Sequence, residues 1–220
     1  MTERAINLYD GLEALYYFDS SYFDGTANEV KDKSGYNKHA QARGAPTIGV
    51  SGPQSFEAAS FDGSDDGFET DFFKPESEFT ITIRYKISQH KDFNRLWDNG
   101  GSVNFYLTNE GGLRIFIWDD ADTRYQMSGG IIDTGKWYNS TLLWDGADVH
   151  LYVNNELIST IDGFGDTVQE TNQVVFLGMN SNISNYLNGS MVYSGWWSRA
   201  LNYSELTFLN NMTSPRRQLL

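Results

Sequence analysis

Apolar residues along this chain fall in short runs separated by turn-forming residues, the rhythm of an all-β fold. In 79–87 (Phe-Thr-Ile-Thr-Ile-Arg-Tyr-Lys-Ile) every second residue is apolar, the period of a strand that buries one face. Its polar phase predicts a sheet whose outer side is wet. The stretch 149–158 reads as two strands joined at Asn154-Asn155, because Asn tolerates the positive φ of a tight hairpin. The same reading predicts further strands over 12–18, 55–61, 67–70, 95–97, 103–108, 113–118, 124–128, 137–144, 174–178 and 189–197. One helix is expected near the C-terminus. Asn202 can cap its first turn and Glu205 can reach back, a capping box ahead of Leu206 and Leu209. It should stop near Asn210.

Length fits this pattern. All-β domains of roughly 200 to 250 residues commonly form one core, and this chain has 220 residues. The expected organisation is an N-terminal arm over 1–11, one sandwich over 12–210 and a tail over 211–220 that carries Ser214-Pro215-Arg216-Arg217. The chain has no cysteine, which removes disulfides, thiolate nucleophiles and cysteine-ligated zinc. Its formal charge of −13 from 29 acidic and 16 basic residues would repel a phosphate backbone, so nucleic acid is not an expected partner. The same acid excess suits a protein kept soluble in high salt. No apolar run approaches about 18 residues and no leader-like h-region follows the N-terminus, so membrane insertion is not expected.

Three segments, in order, resemble the laminin-G-like jelly-roll family, grouped with concanavalin-A-like lectins and glucanases. The first is LYYFDSSYFDGTANEVKDKSGYNKHA over 15–40, with its Asp32, Ser34, Gly35, Asn37 turn. The second is SFDGSDDGFET over 60–70 followed by FTITIRYKI over 79–87. The third joins WYNSTLLWDGADVHLYVNNELI over 137–158 to FLGMN over 176–180 and NGSMVYSGWWSRALNYSEL over 188–206. The resemblance implies an all-β, two-sheet antiparallel jelly-roll sandwich with one short C-terminal helix. It covers about 12–210 and carries many functions on one scaffold, so function has to be argued from a site. One departure stands out: where many members have Ile-Asp-Glu-Val, this chain has Met191-Val192-Tyr193-Ser194. If those acids help hold a structural calcium in relatives, that ion is lost or moved here. Asp19, Asp32 and Asn37 remain as the hard oxygen donors calcium prefers, with turn-forming roles as the competing reading of Asp32 and Asn37.

Catalytic chemistry is sparse. A glycosidase places two carboxylates roughly 5 Å apart, and no Glu-x-Asp-x-Glu pattern occurs; Glu76 and Glu78 follow Pro75 in an expected loop. His39, His90 and His150 are isolated in sequence and form no zinc motif. The run Asp62-Gly-Ser-Asp65-Asp66-Gly67 resembles the start of a calcium loop, but its twelfth position is Phe73 rather than Glu, which favours a turn. Sugars offer apolar C–H faces for stacking and hydroxyls for polar partners, so aromatic residues beside polar loops are the binding candidates. Two places qualify: Trp97, Asp98 and Asn99 at a Gly-rich turn, and the hairpin tip carrying Trp118, Asp119, Asp122 and Tyr125. Core packing competes for each Trp, and is the expected role of Trp137, Trp144, Trp196 and Trp197.

The resulting expectation is a non-enzymatic adhesion or carbohydrate-binding module. Its partners would be a glycan or host-surface ligand and other subunits of a larger assembly, including copies of itself. Such an assembly could be a virion, with the chain as a capsid decoration or tail-associated protein. Two alternatives stay open at this level: a polysaccharide hydrolase or lyase on the same scaffold, and a purely structural subunit. An acidic pair at the cleft would mark the first, and edge strands buried against neighbours the second.

Overall fold

The computed structural model describes residues 6–74, 77–165, 167–170 and 174–212. The first strands are β1 (Leu12–Tyr17), β2 (Phe23–Asp24), β3 (Glu29–Val30), β4 (Ala40–Arg43), β5 (Thr47–Ser51) and β6 (Glu57–Asp62). Next come β7 (Gly67–Phe72), β8 (Phe79–Ile87), β9 (Asn94–Asp98), β10 (Val103–Leu107), β11 (Gly112–Trp118) and β12 (Arg124–Ile131). The chain continues through β13 (Trp137–Trp144), β14 (Val149–Val153), β15 (Glu156–Ile161), β16 (Val174–Leu177) and β17 (Asn188–Trp197) to helix α1 (Tyr203–Asn211). Every pairing is antiparallel.

Two sheets result. One runs β15-β14-β13-β8-β17-β6-β5, with β1 on the far half of β17; the other runs β12-β11-β10-β9-β16-β7-β4-β3-β2. Consecutive strands β6 and β7 lie in different sheets, and the turn between them is the Asp-rich 62–67 segment. Gly189 opens β17 against β8, where a Cβ would meet the Lys86 carbonyl oxygen at 2.2 Å. Only glycine allows that approach.

Alternation places the main core between the sheets. From β8 it takes Phe79, Ile81, Ile83, Tyr85 and Ile87, and from β11 it takes Leu113, Ile115 and Ile117. Trp144 and Trp196 join this core and Trp197 a second apolar cluster, all as packing residues as expected, while Trp137 is half-buried against that second cluster beneath the Lys86 ammonium.

The opposite phase of β8 corrects one expectation. Thr80, Thr82 and Arg84 are buried rather than wet. A second apolar cluster lies over this side of the sheet, built from Leu8, Leu15, Tyr17, Val192, Tyr193 and Trp197 with Leu206, Leu209 and Met212 from the helical end. Arg84 Nη1 donates to the Met212 carbonyl (3.0 Å), and Thr80 Oγ1 to the Arg199 carbonyl (2.9 Å). Thr82 Oγ1 bonds Asn139 Oδ1 and Thr141 Oγ1 on the neighbouring β13 (both 2.9 Å), so the polar phase survives burial because each group found a partner in the covering layer or in the adjacent strand. The same layer explains the departure at 192–193: both residues are fully buried, and Tyr193 Oη donates to the Leu209 carbonyl at 3.1 Å. Acids there would be buried under the helix.

The capping box forms as read. Asn202 Oδ1 accepts from Glu205 N–H at 3.1 Å, and Glu205 Oε2 accepts from Asn202 N–H at 2.9 Å. Asn154 and Asn155 take φ of 51° and 70° in their hairpin. At the N-terminus, residues expected as an arm pack onto the sandwich: Leu8 is buried and its carbonyl accepts from Trp197 Nε1 at 2.7 Å. The basic 214–217 segment and Glu76 lie outside the described residues. No helix among the described residues is long and apolar enough to cross a membrane.

Candidate binding face

While α1 covers one sheet, the outer side of β9–β12 in the other carries aromatic and cationic residues. On β10, Val103, Phe105 and Leu107 enter the core, so Asn104 and Tyr106 point outward. On β11 the same rule turns Arg114, Phe116 and Trp118 outward. Register sets Asn104 opposite Phe116, Tyr106 opposite Arg114 and Trp118 opposite Arg124. On the other flank Asn104 faces Asp98 and Tyr106 faces Arg95, with a bulge in between.

The rings of Phe93, Tyr106, Phe116 and Trp118 form a continuous row, with centroid separations of 5.3, 5.5 and 5.7 Å. Arg95 lies 5.2 Å from the Tyr106 ring centre and Arg124 lies 4.5 Å from that of Phe116, distances at which cations are attracted to aromatic faces. Phe93 is exposed and held at φ 57°, a backbone state that bulky residues rarely adopt. Phe116 and Trp118 are half-buried, leaving ring surface open to solvent.

Beside this row the face is buried and polar. Arg95 and Asn104 are 8% and 9% exposed. Arg95 Nη1 stands 3.3 Å from Asp98 Oδ2, while Asp98 Oδ1 accepts from Gly100 N–H (2.8 Å) and Ser181 N–H (3.3 Å). Burial pulls the Arg95 pKa down against the opposing pull of Asp98 and Tyr106. Arg95 Nε and Asn104 Oδ1 are buried with no hydrogen-bond partner among the described residues, a costly state, whereas Arg95 Nη1 has the Asp98 carboxylate.

The sequence candidates sort differently from expectation. Trp97 is fully buried, packed edge-on to Phe73 and Trp196 in the core, so its ring has no face to offer a ligand. Asp98 lies on the outer face. Asn99 is buried at the turn, where its Oδ1 accepts from Ser102 N–H (3.2 Å) and Val103 N–H (2.9 Å).

At the other tip, Trp118 and Tyr125 leave the sheet on opposite sides. Trp118 faces outward beside Phe116, whereas Tyr125 packs toward the core, 5.0 Å from Phe164. Asp119 is buried and accepts from Thr123 N–H (2.7 Å) and Tyr125 Oη–H (3.2 Å). Desolvation and that carboxylate push the Tyr125 pKa up. Asp122 is exposed at φ 62° and accepts from Gln169 Nε2 at 3.2 Å. The tip is a braced turn and does not gather its carboxylates around two rings.

Among the proposed oxygen donors, Asp19 caps a single 3₁₀ turn, accepting from Ser21 N–H at 2.8 Å. Asn37 supplies a positive φ of 58°. Asp32 is fully engaged: Oδ1 accepts from Leu15 and Ser34 N–H (3.1 and 2.9 Å), and Oδ2 from Ser34 Oγ–H and Lys38 N–H (2.6 and 3.1 Å). These contacts tie the 32–38 turn to β1. Asp32→Ala is therefore expected to lower stability by about 2–3 kcal/mol, by the same amount with and without a calcium chelator in thermal unfolding. A chelator-dependent difference would restore an ion at Asp32. Among the described residues, the carboxylates that converge are Asp62, Asp65 and Asp66, with oxygens within 4.8 Å of one another. Asp66 accepts from Ala45 N–H (2.8 Å) and Asp62 N–H (3.0 Å), so it also shapes the turn.

A cavity of about 280 Å³ opens elsewhere over Phe73, Phe79 and Trp196. At its rim Glu13 binds Lys38 Nζ (3.1 Å) and Ser198 Oγ (3.2 Å), so these rim groups satisfy one another. Among the described residues, the β9–β10 face carries two unmet buried polar atoms, Arg95 Nε and Asn104 Oδ1.

Two antiparallel sheets packed face to face, with one short helix over one of them, make a jelly-roll β-sandwich. The chain belongs to the concanavalin A-like lectin/glucanases superfamily, whose laminin-G-type profile matches residues 62–207. No curated protein matches the sequence. Among solved structures, the receptor-binding domain of botulinum neurotoxin D superposes with a TM-score of 0.72 at 14% identity, over 92% of this chain and 52% of that one. The binding domain of Paraclostridial Mosquitocidal Protein 1 gives 0.72 at 18% identity, over 93% and 53%. A botulinum neurotoxin type C structure, whose cell entry depends on interaction with two ganglioside molecules, gives 0.71 at 14% identity over 92% and 51%. The chain thus spans about half the length of these structures, and at such identity the likeness is one of fold.

Proposed function

We propose that the protein is a non-catalytic glycan-binding module whose ligand lies along the outer face of β9–β12. The observation that carries this reading is the Phe93–Tyr106–Phe116–Trp118 row beside buried polar groups, since sugars are held by stacking plus a few placed hydrogen bonds. Membership of a lectin-containing superfamily and likeness to receptor-binding domains support it. The family name also includes glucanases. Against hydrolysis, the acid on this face, Asp98, is engaged through both oxygens by Arg95 and two backbone amides, which leaves it poorly placed for acid or nucleophile work.

On a glycan array the protein is expected to bind selectively. Trp118→Ala and Phe116→Ala should each weaken binding about tenfold, the equivalent of roughly 1.4 kcal/mol, without release of reducing sugar. Flat binding across the array, or affinity unchanged in both variants, would remove the glycan reading and leave a structural role. We also propose that the module is displayed on a larger assembly such as a virion, which is tested by whether the protein co-purifies with particles.

A further inference from the structure

We infer that the glycan held on this face carries a carboxylate, read by Arg114 and Arg124; this rests on the glycan-binding reading above and names the class of sugar. Of the arginines among the described residues, Arg43, Arg95 and Arg199 are paired with Glu69, Asp98 and Glu205, and Arg84 is buried on the Met212 carbonyl. Arg114 and Arg124 make no ion pair among the described residues. Both reach solvent: Arg124 is exposed and Arg114 is half-buried. Register sets Arg114, Phe116 and Trp118 of β11 opposite Ser128, Gln126 and Arg124 of β12, so both cations share one outer face with the half-buried Phe116 and Trp118 rings.

Charge on this face runs against the rest of the chain. The protein has 29 acidic residues and 16 basic ones, yet β10, β11 and β12 contain no Asp or Glu, and Asp98 of β9 is held by Arg95 and two backbone amides. Asp119, Asp120 and Asp122 belong to the tip beyond Trp118, where Asp119 is buried and bonded and the other two are exposed. These two acids disfavour an anion at the tip. Arg124 leans away from them, its guanidinium 4.5 Å from the Phe116 ring centre and toward the Arg114 end of the face. The ring attracts this cation without cancelling its charge. Arg114 is likewise held by neutral groups, Nη1 donating to the Leu113 carbonyl (3.1 Å) and to Ser128 Oγ (2.8 Å). Two guanidinium charges are therefore fixed in place and left unbalanced, and the planar fork of each matches the two oxygens of a carboxylate. A formal charge of −13 repels a dense polyanion, which leaves a sugar chain with sparse carboxylates. Its C–H faces would stack on Trp118 and Phe116, and its hydroxyls would meet the exposed Gln126 and Ser128.

Titration calorimetry with neutral galactose and glucose trisaccharides, and with the same trisaccharides carrying one C6 carboxylate, tests this directly. The carboxylated members are expected to bind about tenfold more tightly, from two partly exposed ion pairs of about threefold each. Arg114→Gln and Arg124→Gln, which keep a donor and remove the charge, should each lower that preference about threefold, and the double variant should bring it to parity with little change in neutral-sugar affinity. Lys33→Gln removes a cation beside Tyr22, on the opposite side of the sandwich, and should leave the preference intact. Neutral sugars bound as tightly as their carboxylated forms, or a preference that survives the double variant, would overturn the inference; the glycan reading would stand if Trp118→Ala still weakens binding. An equal loss of preference in Lys33→Gln would also overturn it, by showing that overall charge decides. Should Arg114→Gln unfold, the exposed Arg124 position decides alone, and an unchanged preference in Arg124→Gln overturns the inference. If no sugar on the broader array binds the parent protein, both readings fall.

Discussion

Trp97→Ala is expected to lower the unfolding free energy by about 4 kcal/mol, whereas Trp118→Ala should cost about 1 kcal/mol or less and act on binding instead. The two residues look alike in sequence, each ending a short strand ahead of an Asp. Trp97 lies between the sheets with Phe73 at 5.3 Å, Trp196 at 6.2 Å and Phe105 at 6.3 Å. Truncating it empties the centre of an aromatic cluster that cannot close over the space, and close-packed interiors register such losses in full. Trp118 loses contact mainly with Phe116 and solvent. Urea denaturation of the two variants beside the parent decides the matter; equal losses of stability would show that Trp118 is a core residue too, and would weaken the case for the outer face as a ligand surface.

The second large effect is expected at Glu205, the joint between the helix and the rest of the sandwich. Its oxygens accept from Arg199 Nη2 and Nη1 at 2.7 and 2.8 Å, and one also accepts from Asn202 N–H. Arg199 in turn donates to the carbonyls of Asn7 (2.9 Å) and Asp10 (2.7 Å) and lies 3.6 Å from the exposed Asp10 carboxylate, so this one arginine ties α1 to the N-terminal segment. Glu205→Ala should cost about 2–3 kcal/mol, because it removes the buried carboxylate that holds Arg199 through two bonds, leaves only the exposed Asp10 carboxylate beside it, and removes half of the capping box.

A pH dependence follows. Burial by itself would raise the Glu205 pKa, but the Arg199 bonds, the Asn202 amide and the Arg199 charge outweigh it and the net shift is downward. A carboxyl with a lowered folded-state pKa contributes fully above the unfolded value of about 4.3 and loses that contribution as pH falls through the folded value. The stability gap between parent and Glu205→Ala should therefore narrow as pH is lowered from about 5 toward 3. Thermal unfolding across that range measures it; a constant gap would mean that the ionised pair is not what secures the helix.

How far the chain can be read locally is clear from particular elements. Strand β8 was legible to the residue, since strict alternation has only one strand solution, and the Asn202/Glu205 cap and the Asn154-Asn155 turn carry their geometry in adjacent side chains. Strands β2 to β5 were not: two are only two residues long, and β5 is an irregular edge strand with a bulge between Ile48 and Val50. Their strand state comes from the neighbours they pair with, which is why propensity within the segment is a weak guide. The candidate face was half visible. Tyr106, Phe116 and Trp118 occupy the phase that a solvated strand gives to polar residues, a signal present in the chain. Arg95 and Asn104 carried no local mark, because nothing in one strand shows that a buried polar atom will be left without a partner.

By itself, then, the sequence determined the β-sandwich class, most of the strands, the closing helix with its cap, and the family resemblance, because these rest on periodicity, turn chemistry and short motifs that act within a few residues. Tertiary structure decided which side of each sheet is covered. It turned the polar phase of β8 into a buried layer under α1, sent Trp97 inward and Trp118 outward, and brought Arg95, Asp98, Asn104 and the aromatic row together on one face. The physical reason is that alternation tells the two faces of a strand apart without saying what lies over either one. That depends on the packing of segments distant in sequence, and here it converts two similar Trp-Asp turns into a core element and the edge of a candidate glycan site.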